Sequence, residues 1–267
     1  MKKLGFIGCG NMGEAILLGM LNAQIVNADD IYVYTPTQKT RSQLKDKYHI
    51  HICDSNEELY EQCEYIILAI KPYQFEEVIT KLPKVDMNKV IVSIAAGMTI
   101  EKIRELFTLE QLKVVRVMPN TPVLVNKGAS GLCASSEVSE EEKNFVVKLF
   151  SAVGVVEEVD EEMIHTIIAT SGSSPAYVFM FIEAIIKEAM NQGLSYEVAK
   201  TLVIQTVIGA ATMVAESNIP PEGLKQNVCS PNGTTIEAVK VLEEEGFYKI
   251  IAKAMDACVK KSRLMSE

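Results

Sequence analysis

Leu4-Gly5-Phe6-Ile7-Gly8-Cys9-Gly10-Asn11-Met12-Gly13 is the stretch that decides how the first half of this chain folds. Residues 4–7 form a short apolar strand. Gly8, Gly10 and Gly13 spell G-x-G-x-x-G, and Ala15, Ile16, Leu18 and Leu21 follow at helical spacing. Strand, tight turn and helix are the setting in which this motif holds a dinucleotide. The first glycine makes the turn, the second lets a pyrophosphate approach, and the third allows close helix–strand packing. Gly8, Gly10, Asn11, Met12 and Gly13 are therefore the first cofactor-binding candidates.

The alternation continues outward from this loop. A strand at 31–34 leads to a polar helix over about 38–47, and a short strand near 50–52 to a helix starting at Ser55. The apolar run 65–70 is a buried parallel strand, followed by a helix over about 73–81. Further strands are predicted at 90–94 and 114–118, with a helix near 99–107 between them; residues 128–134, 139–152 and 155–159 add strand, helix and strand. Apolar strands joined by crossover helices predict an α/β fold. Its first part is a Rossmann-type, doubly wound, mostly parallel sheet over residues 1–160, with its ligand at the carboxyl ends of the strands. Thr35, Ala69-Ile70-Lys71-Pro72, Ala95-Ala96-Gly97 and Pro119-Asn120-Thr121-Pro122 all fall at such ends.

An NAD site usually places Asp or Glu at the end of the second strand to hold the ribose hydroxyls. Here that strand runs out as Tyr34-Thr35-Pro36-Thr37-Gln38-Lys39-Thr40-Arg41, without a carboxylate. Hydroxyls with two nearby cations suit a 2′-phosphate. NADPH is the cofactor expected, with NADH possible.

After Asp160 the pattern changes to long helices, giving an all-helical second domain over residues 161–267. Ser171-Gly172-Ser173-Ser174-Pro175-Ala176-Tyr177 suits a helix start, Gly193 a helix end, and Pro220-Pro221 the close of a further helix opened by Ser195. The helix from Ser195 to Ala215 is apolar on nearly every face, so it is expected to be buried, with a partner subunit covering it. Its longest uncharged run, Thr201 to Ala215, falls short of the ~18 apolar residues of a membrane span. No membrane partner is expected.

Near the end of the chain stands Ser230-Pro231-Asn232-Gly233-Thr234-Thr235-Ile236-Glu237. Pro231-Asn232-Gly233 is turn chemistry, and Thr234 with Glu237 spells a capping box. A turn leading into a helix start presents backbone N–H groups to a small carboxylate or phosphate, beside the hydroxyls of Ser230, Thr234 and Thr235.

Composition narrows the function. A net charge of −9 with scattered basic residues argues against nucleic acid. The six cysteines contain no C-x-x-C pair and read as reduced thiols of a cytoplasmic protein. Met1-Lys2-Lys3 precedes an apolar run that Gly8, Gly10, Asn11 and Glu14 interrupt, so a signal peptide is not expected. His49 and His51 read as surface residues and His165 as structural; no metal-ligand spacing is present. Most alcohol dehydrogenations need a base or a metal for the hydroxyl proton. Without one, a C=N bond fits better: it accepts hydride once held in place, and catalysis is mostly positioning.

Gly5-Phe6-Ile7-Gly8-x-Gly10-Asn11-Met12-Gly13, Ala69-Ile70-Lys71-Pro72, Ser93-Ile94-Ala95-Ala96-Gly97, Met118-Pro119-Asn120-Thr121-Pro122, the Ser171–Tyr177 segment and Ser230–Thr235 occur in this order. Together they resemble the pyrroline-5-carboxylate reductase family over essentially the whole chain. Asn232 and Ser174 stand where that family usually has Gly. The resemblance implies reduction of 1-pyrroline-5-carboxylate to L-proline with NAD(P)H, the last step of proline biosynthesis. It also implies a homo-oligomer, dimer or decamer, assembled through the C-terminal helices. Carried over, Ser230, Asn232, Gly233, Thr234 and Thr235 would hold the substrate, with the Thr235 hydroxyl facing the ring nitrogen as the catalytic, orienting group. Thr35 and Asn56 would contact the adenosine ribose or its phosphate. Ala69, Lys71, Ala96 and Asn120 would line the nicotinamide end, and Ile70, Pro72, Ala95 and Gly97 would also bind the cofactor.

Two other readings are open on the sequence. A β-hydroxyacid dehydrogenase would share the nucleotide half but needs a helix-borne Lys in its second domain, and residues 166–186 contain none. A non-catalytic NADP-sensing protein would leave the hydroxyl-rich turn without a purpose.

Overall fold

A computed structural model describes residues 2–83 and 86–266; Met1, of the basic start noted above, lies outside them. Two compact units form: Met1–Ser173 with Cys258–Glu267, and Ser174–Ala257.

The first unit carries β1 (Leu4–Ile7), α1 (Asn11–Asn22), β2 (Ile31–Tyr34), α2 (Gln38–Tyr48), β3 (His51–Ile52), α3 (Asn56–Gln62), β4 (Tyr65–Leu68) and α4 (Phe75–Ile79). It continues with β5 (Val90–Ser93), α5 (Ile100–Phe107), β6 (Lys113–Met118), β7 (Gly128–Ala134), α6 (Glu140–Ser151), β8 (Gly154–Glu158) and the short α7 (Ile164–Ile167). The eight strands lie in the order β3-β2-β1-β4-β5-β6-β7-β8. All neighbours are parallel except β6 and β7. Leu4 pairs with Ile31 on one side and Tyr65 on the other, so the chain reverses its direction of winding at β1. That reversal opens a crevice at the strands' carboxyl ends.

Side chains alternating along each strand feed two cores. Leu4, Phe6, Val33, Ile67 and Val92 pack with Ile16, Leu17, Val146 and Phe150. Ile7, Ile66, Leu68, Ile91 and Val114 pack with Leu59, Phe75, Ile103 and Phe107. A sheet covered by helices on both faces must have continuously apolar strands, and β1, β4 and β5 are buried at every residue.

The second unit holds α8 (Ser174–Asn191), α9 (Tyr196–Glu216), α10 (Pro221–Val228), α11 (Thr234–Glu244) and the first part of α12 (Phe247–Ser266), with α8 packed on α9. One sequence expectation changes here. The run Thr201–Ala215 lies inside a 21-residue helix, and Tyr196–Glu216, mean hydropathy 1.6, is long and apolar enough to cross a membrane. The uncharged run understated it because Glu197 and Lys200 sit at one end and are tolerated by a span of that length. Within the chain α9 buries only Ala199 and Val203, so its remaining apolar surface is left to the partner subunit that the sequence leads one to expect.

Candidate active site

In the sheet unit the glycine loop is built as its sequence demands. Gly8 has φ +80°, donates its N–H to Tyr34 O at 2.8 Å, and leaves no room for a side chain: a methyl there would stand 2.6 Å from Ile70 Cγ2 and 2.8 Å from Ala69 O. Gly13 faces Ala69, where a methyl would sit 3.2 Å from Ala69 Cβ. A methyl on Gly10 would instead meet nothing within 4 Å, so the second glycine guards open space and not a protein contact. Gly10 is also the N-cap of α1, and no side chain caps that end. The first N–H groups of α1, at Asn11, Met12 and Gly13, are thus left for an anion, with the positive end of the helix behind them. Cys9 inside the loop is 4% exposed, and burial pushes its thiol up to about 12, so it is an inert packing group.

Thr35 follows β2, and its carbonyl accepts from Arg41 Nη1 at 2.9 Å. The Arg41 guanidinium also lies 5.4 Å from the Tyr34 ring centroid, while Lys39 is exposed. Asn56 opens α3, which packs on β1 and β2, behind its N-cap Ser55. Asn56 Oδ1 is buried and has no hydrogen-bond partner. A buried acceptor left unpaired is costly unless a ligand donor meets it. A ribose hydroxyl would serve. With the open face at Gly10 and the uncapped start of α1, the residues fit a dinucleotide.

Ala69–Pro72 follow β4, where Ala69 N–H bonds Ile7 O at 2.9 Å and Lys71 N–H bonds Gln74 Oε1 at 3.0 Å. Ala95, Ala96 and Gly97 follow β5, and Gly97 has φ +80°. Asn120 is buried, and its side chain is spent on the protein: Oδ1 accepts from Ala129 N–H and Nδ2 donates to Ser171 O, both at 2.9 Å. It ties the end of β6 to the start of β7 and to the π-helical turn Ile168–Gly172. Only its backbone is left for any contact with a cofactor.

Sequence reasoning took His165 as structural without its partner and missed two ion pairs. Arg116 on β6, 3% exposed, pairs with Glu161 Oε1 at 2.5 Å, and the same oxygen accepts from Ile100 N–H at 2.8 Å. His165, buried, has Nδ1 2.8 Å from Ser262 Oγ. Arg104 pairs with Glu137 and donates to Leu112 O. An Arg inside an apolar β-strand was the one available signal; the partners are separated too far in sequence to be paired from it.

In the helical unit, the turn before α11 differs from its expectation by one residue. The N-cap is Gly233, with no side-chain cap bond, and Thr234 is already helical, so the capping box does not form. The chain reaches the helix through Gly233 N–H bonding Ser230 O at 3.0 Å, with Asn232 at φ +59°. That tight turn starts the helix before Thr234 and takes its hydroxyl out of capping range. Ser230 Oγ lies against Gly233, where a β-carbon would collide with it. Ser230, Asn232, Gly233, Thr234 and Thr235 are thereby gathered around an uncapped helix start, and among the described residues no hydrogen bond occupies the hydroxyls of Ser230, Thr234 or Thr235. Such an end accepts a carboxylate.

Residues 161–265 match a family described as "Pyrroline-5-carboxylate reductase dimerisation", and residues 3–97 match "NADP oxidoreductase coenzyme F420-dependent". The chain is 41% identical to the pyrroline-5-carboxylate reductase of Escherichia coli, covering all of this chain and 99% of that one. Its structure resembles a pyrroline-5-carboxylate reductase from Coxiella burnetii at TM-score 0.93 and 34% identity, covering 100% and 99% of the two chains. It also resembles a Plasmodium falciparum pyrroline carboxylate reductase with NADP bound, at TM-score 0.91 and 35% identity, covering 100% and 98%.

Proposed function

The chain belongs to the pyrroline-5-carboxylate reductase family, and we propose that Ser230, Asn232, Gly233, Thr234 and Thr235 hold its substrate while the glycine loop of the sheet unit holds its dinucleotide. The activity is that of an NAD(P)H-dependent oxidoreductase acting on the C=N bond of 1-pyrroline-5-carboxylate and giving L-proline, the last step of proline biosynthesis. NADPH, when bound, supplies the hydride that becomes the new C–H bond. The protein's own contribution is placement.

The uncapped N-terminus of α11 is the observation that carries this assignment. Its N–H groups and the Ser230 and Thr234 hydroxyls receive the carboxylate by charge-assisted hydrogen bonds, which fixes the ring in one orientation. Thr235 Oγ1 faces the ring nitrogen. A hydroxyl is too weak an acid to be the ultimate proton source, so Thr235 orients that nitrogen and relays to it a proton from water. In the sheet unit, the N–H groups of Asn11, Met12 and Gly13 take the pyrophosphate, and Asn56 Oδ1 accepts from a ribose hydroxyl. Thr35 and Arg41 meet the 2′-phosphate, which favours NADPH over NADH. Ala69, Ile70, Lys71, Pro72, Ala95, Ala96, Gly97 and the backbone of Asn120 bound the nicotinamide end.

The helical unit belongs to the family's dimerisation region. Its exposed Phe179, Met180, Leu202, Ile208 and Met213 support a homo-oligomer, a dimer or a higher assembly of dimers, formed by these helices. Six free thiols support a reducing, cytoplasmic setting.

Initial rates with each cofactor on 1-pyrroline-5-carboxylate test the assignment. Oxidation of NADPH that requires the imine, with the higher kcat/KM for NADPH, is expected. A folded, NADPH-binding preparation that gave no turnover would end it.

A further inference from the structure

The last turns of α12 return to the sheet unit and pack against residues 162–173 and, at Met265, the loop that follows β5. Four contacts make this junction, all within that unit. Ser262 Oγ lies 2.8 Å from His165 Nδ1, with both residues buried. Cys258 Sγ lies 3.3 Å from Ser173 Oγ, and Arg263 Nη2 lies 2.6 Å from Glu162 Oε1. Met265 then abuts Gly97: a methyl on Gly97 would stand 3.0 Å from the Met265 carbonyl oxygen and 3.1 Å from its Cβ. A side chain at position 97 would therefore press on the Met265 backbone and Cβ.

Glu161, next to Glu162, anchors the other end of the same loop by accepting from Ile100 N–H at 2.8 Å and pairing with buried Arg116. The six residues from Ile94 to Thr99 are therefore held at one end by β5, at the other by the Glu161 carboxylate, and in the middle by the C-terminus. Gly97, at φ +80°, is the point at which the chain turns under that wall.

We propose that Met265 is a positioning residue for hydride transfer: its backbone and Cβ form the wall that sets the height of the Ala95–Gly97 loop, and so the placement of the nicotinamide ring. This rests on assigning Ala95–Gly97 to the nicotinamide end of the cofactor. Most of the affinity for NADPH comes from its phosphates and adenosine, which this wall does not touch. Loss of the wall should therefore change the reaction geometry more than the binding, and misplacement by about 1 Å costs up to about 100-fold in rate.

A chain shortened to end at Leu264 removes Met265 together with Ser266 and Glu267, while keeping the Ser262–His165 and Arg263–Glu162 contacts. Its kcat should fall about tenfold, whereas its NADPH Kd, from cofactor-fluorescence titration, should stay within about twofold. Its melting temperature should stay within about 2 °C of the parent. Leu264→Ala, at a 60% exposed position beside the wall, is the control for disturbing the helix end and should leave all three unchanged. Unchanged kcat in the shortened enzyme, or a fall that only tracks loss of folded protein, would overturn the proposal. Ala96→Leu, which crowds the loop itself, separates the two ways of failing. If Ala96→Leu lowers kcat and the shortened chain does not, the wall alone is wrong; if neither variant changes kcat or Kd, the loop has no part in placing the cofactor and both ideas fall.

Discussion

In the proposed function, Thr235 and Arg41 are the residues on which substrate handling and cofactor choice turn. The Thr235 hydroxyl has no partner among the described residues and stands in the first turn of α11. Thr235→Ala keeps the turn and its N–H groups and removes one orienting hydrogen bond. With about 1.5–3 kcal/mol for a hydrogen bond to a charged group, kcat/KM should fall about 10- to 100-fold. Cofactor titration should show NADPH affinity unchanged; wild-type turnover in this variant would remove the hydroxyl from the mechanism. Arg41 is tied to the Thr35 carbonyl at 2.9 Å and stacked by Tyr34, so its charge is held at the carboxyl end of β2. Arg41→Ala should raise KM for NADPH about tenfold through loss of a charge-assisted bond, and leave KM for NADH within about twofold. Equal effects on both cofactors would mean that Arg41 supports the loop and does not read the phosphate. The sequence offered both as candidates, Arg41 from its place after the second strand and Thr235 through the family resemblance. Asn120 was legible only as a place. That its amide is consumed by Ala129 and Ser171 depends on partners 9 and 51 residues away.

Elements show the same division between local and distant causes. The strands β1, β4 and β5 were readable because burial on both faces demands unbroken apolar runs. Helix α3 was readable from Ser55, whose hydroxyl accepts from Glu58 N–H at 3.1 Å. The start of α11 was misread by one residue because the Ser230–Gly233 hydrogen bond, and not the Thr-x-x-Glu spelling, fixes where the helix begins. What no periodicity reveals is the junction at Glu161. One carboxylate caps α5 through Ile100 N–H and neutralises Arg116, whose side chain is 4% exposed on β6. Glu161→Ala would strand that cation and free the α5 end, at a cost of about 3 kcal/mol. Urea unfolding followed by far-UV circular dichroism should show the midpoint fall clearly. Glu161→Gln keeps an acceptor for Ile100 and for Arg116 and should recover a large part of the loss. Equal midpoints for the two variants would mean that the charge alone matters and that the α5 contact is incidental.

At the scale of the whole molecule, the two units stand differently toward water. The sheet unit buries its apolar residues in two helix-covered layers, whereas within the chain α8, α10 and α11 bury no residue and α9 buries only Ala199 and Val203. A bundle of this size cannot offset its conformational entropy with so little burial, so its apolar surface must be covered by something else. Lipid and a second copy of the chain are the two candidates, since α9 has the length and hydropathy of a span. The charges decide between them. Glu183, Lys187 and Glu188 interrupt α8, the helix packed on α9, while Phe179 and Met180 are exposed on α8 and Leu202, Ile208 and Met213 on α9. Alternating charge and apolar surface is what a self-complementary protein interface offers, and it is expensive in hydrocarbon. Sedimentation in detergent-free buffer at micromolar concentration should therefore give a mass at least twice the 29.5 kDa of the chain. Leu202→Lys with Ile208→Lys places two cations in the apolar contact and should shift that mass toward the monomer, with a lower melting temperature as the uncovered helices lose their support. A wild-type chain that sediments as a monomer, or that dissolves only with detergent, would assign this surface to something other than its own copy.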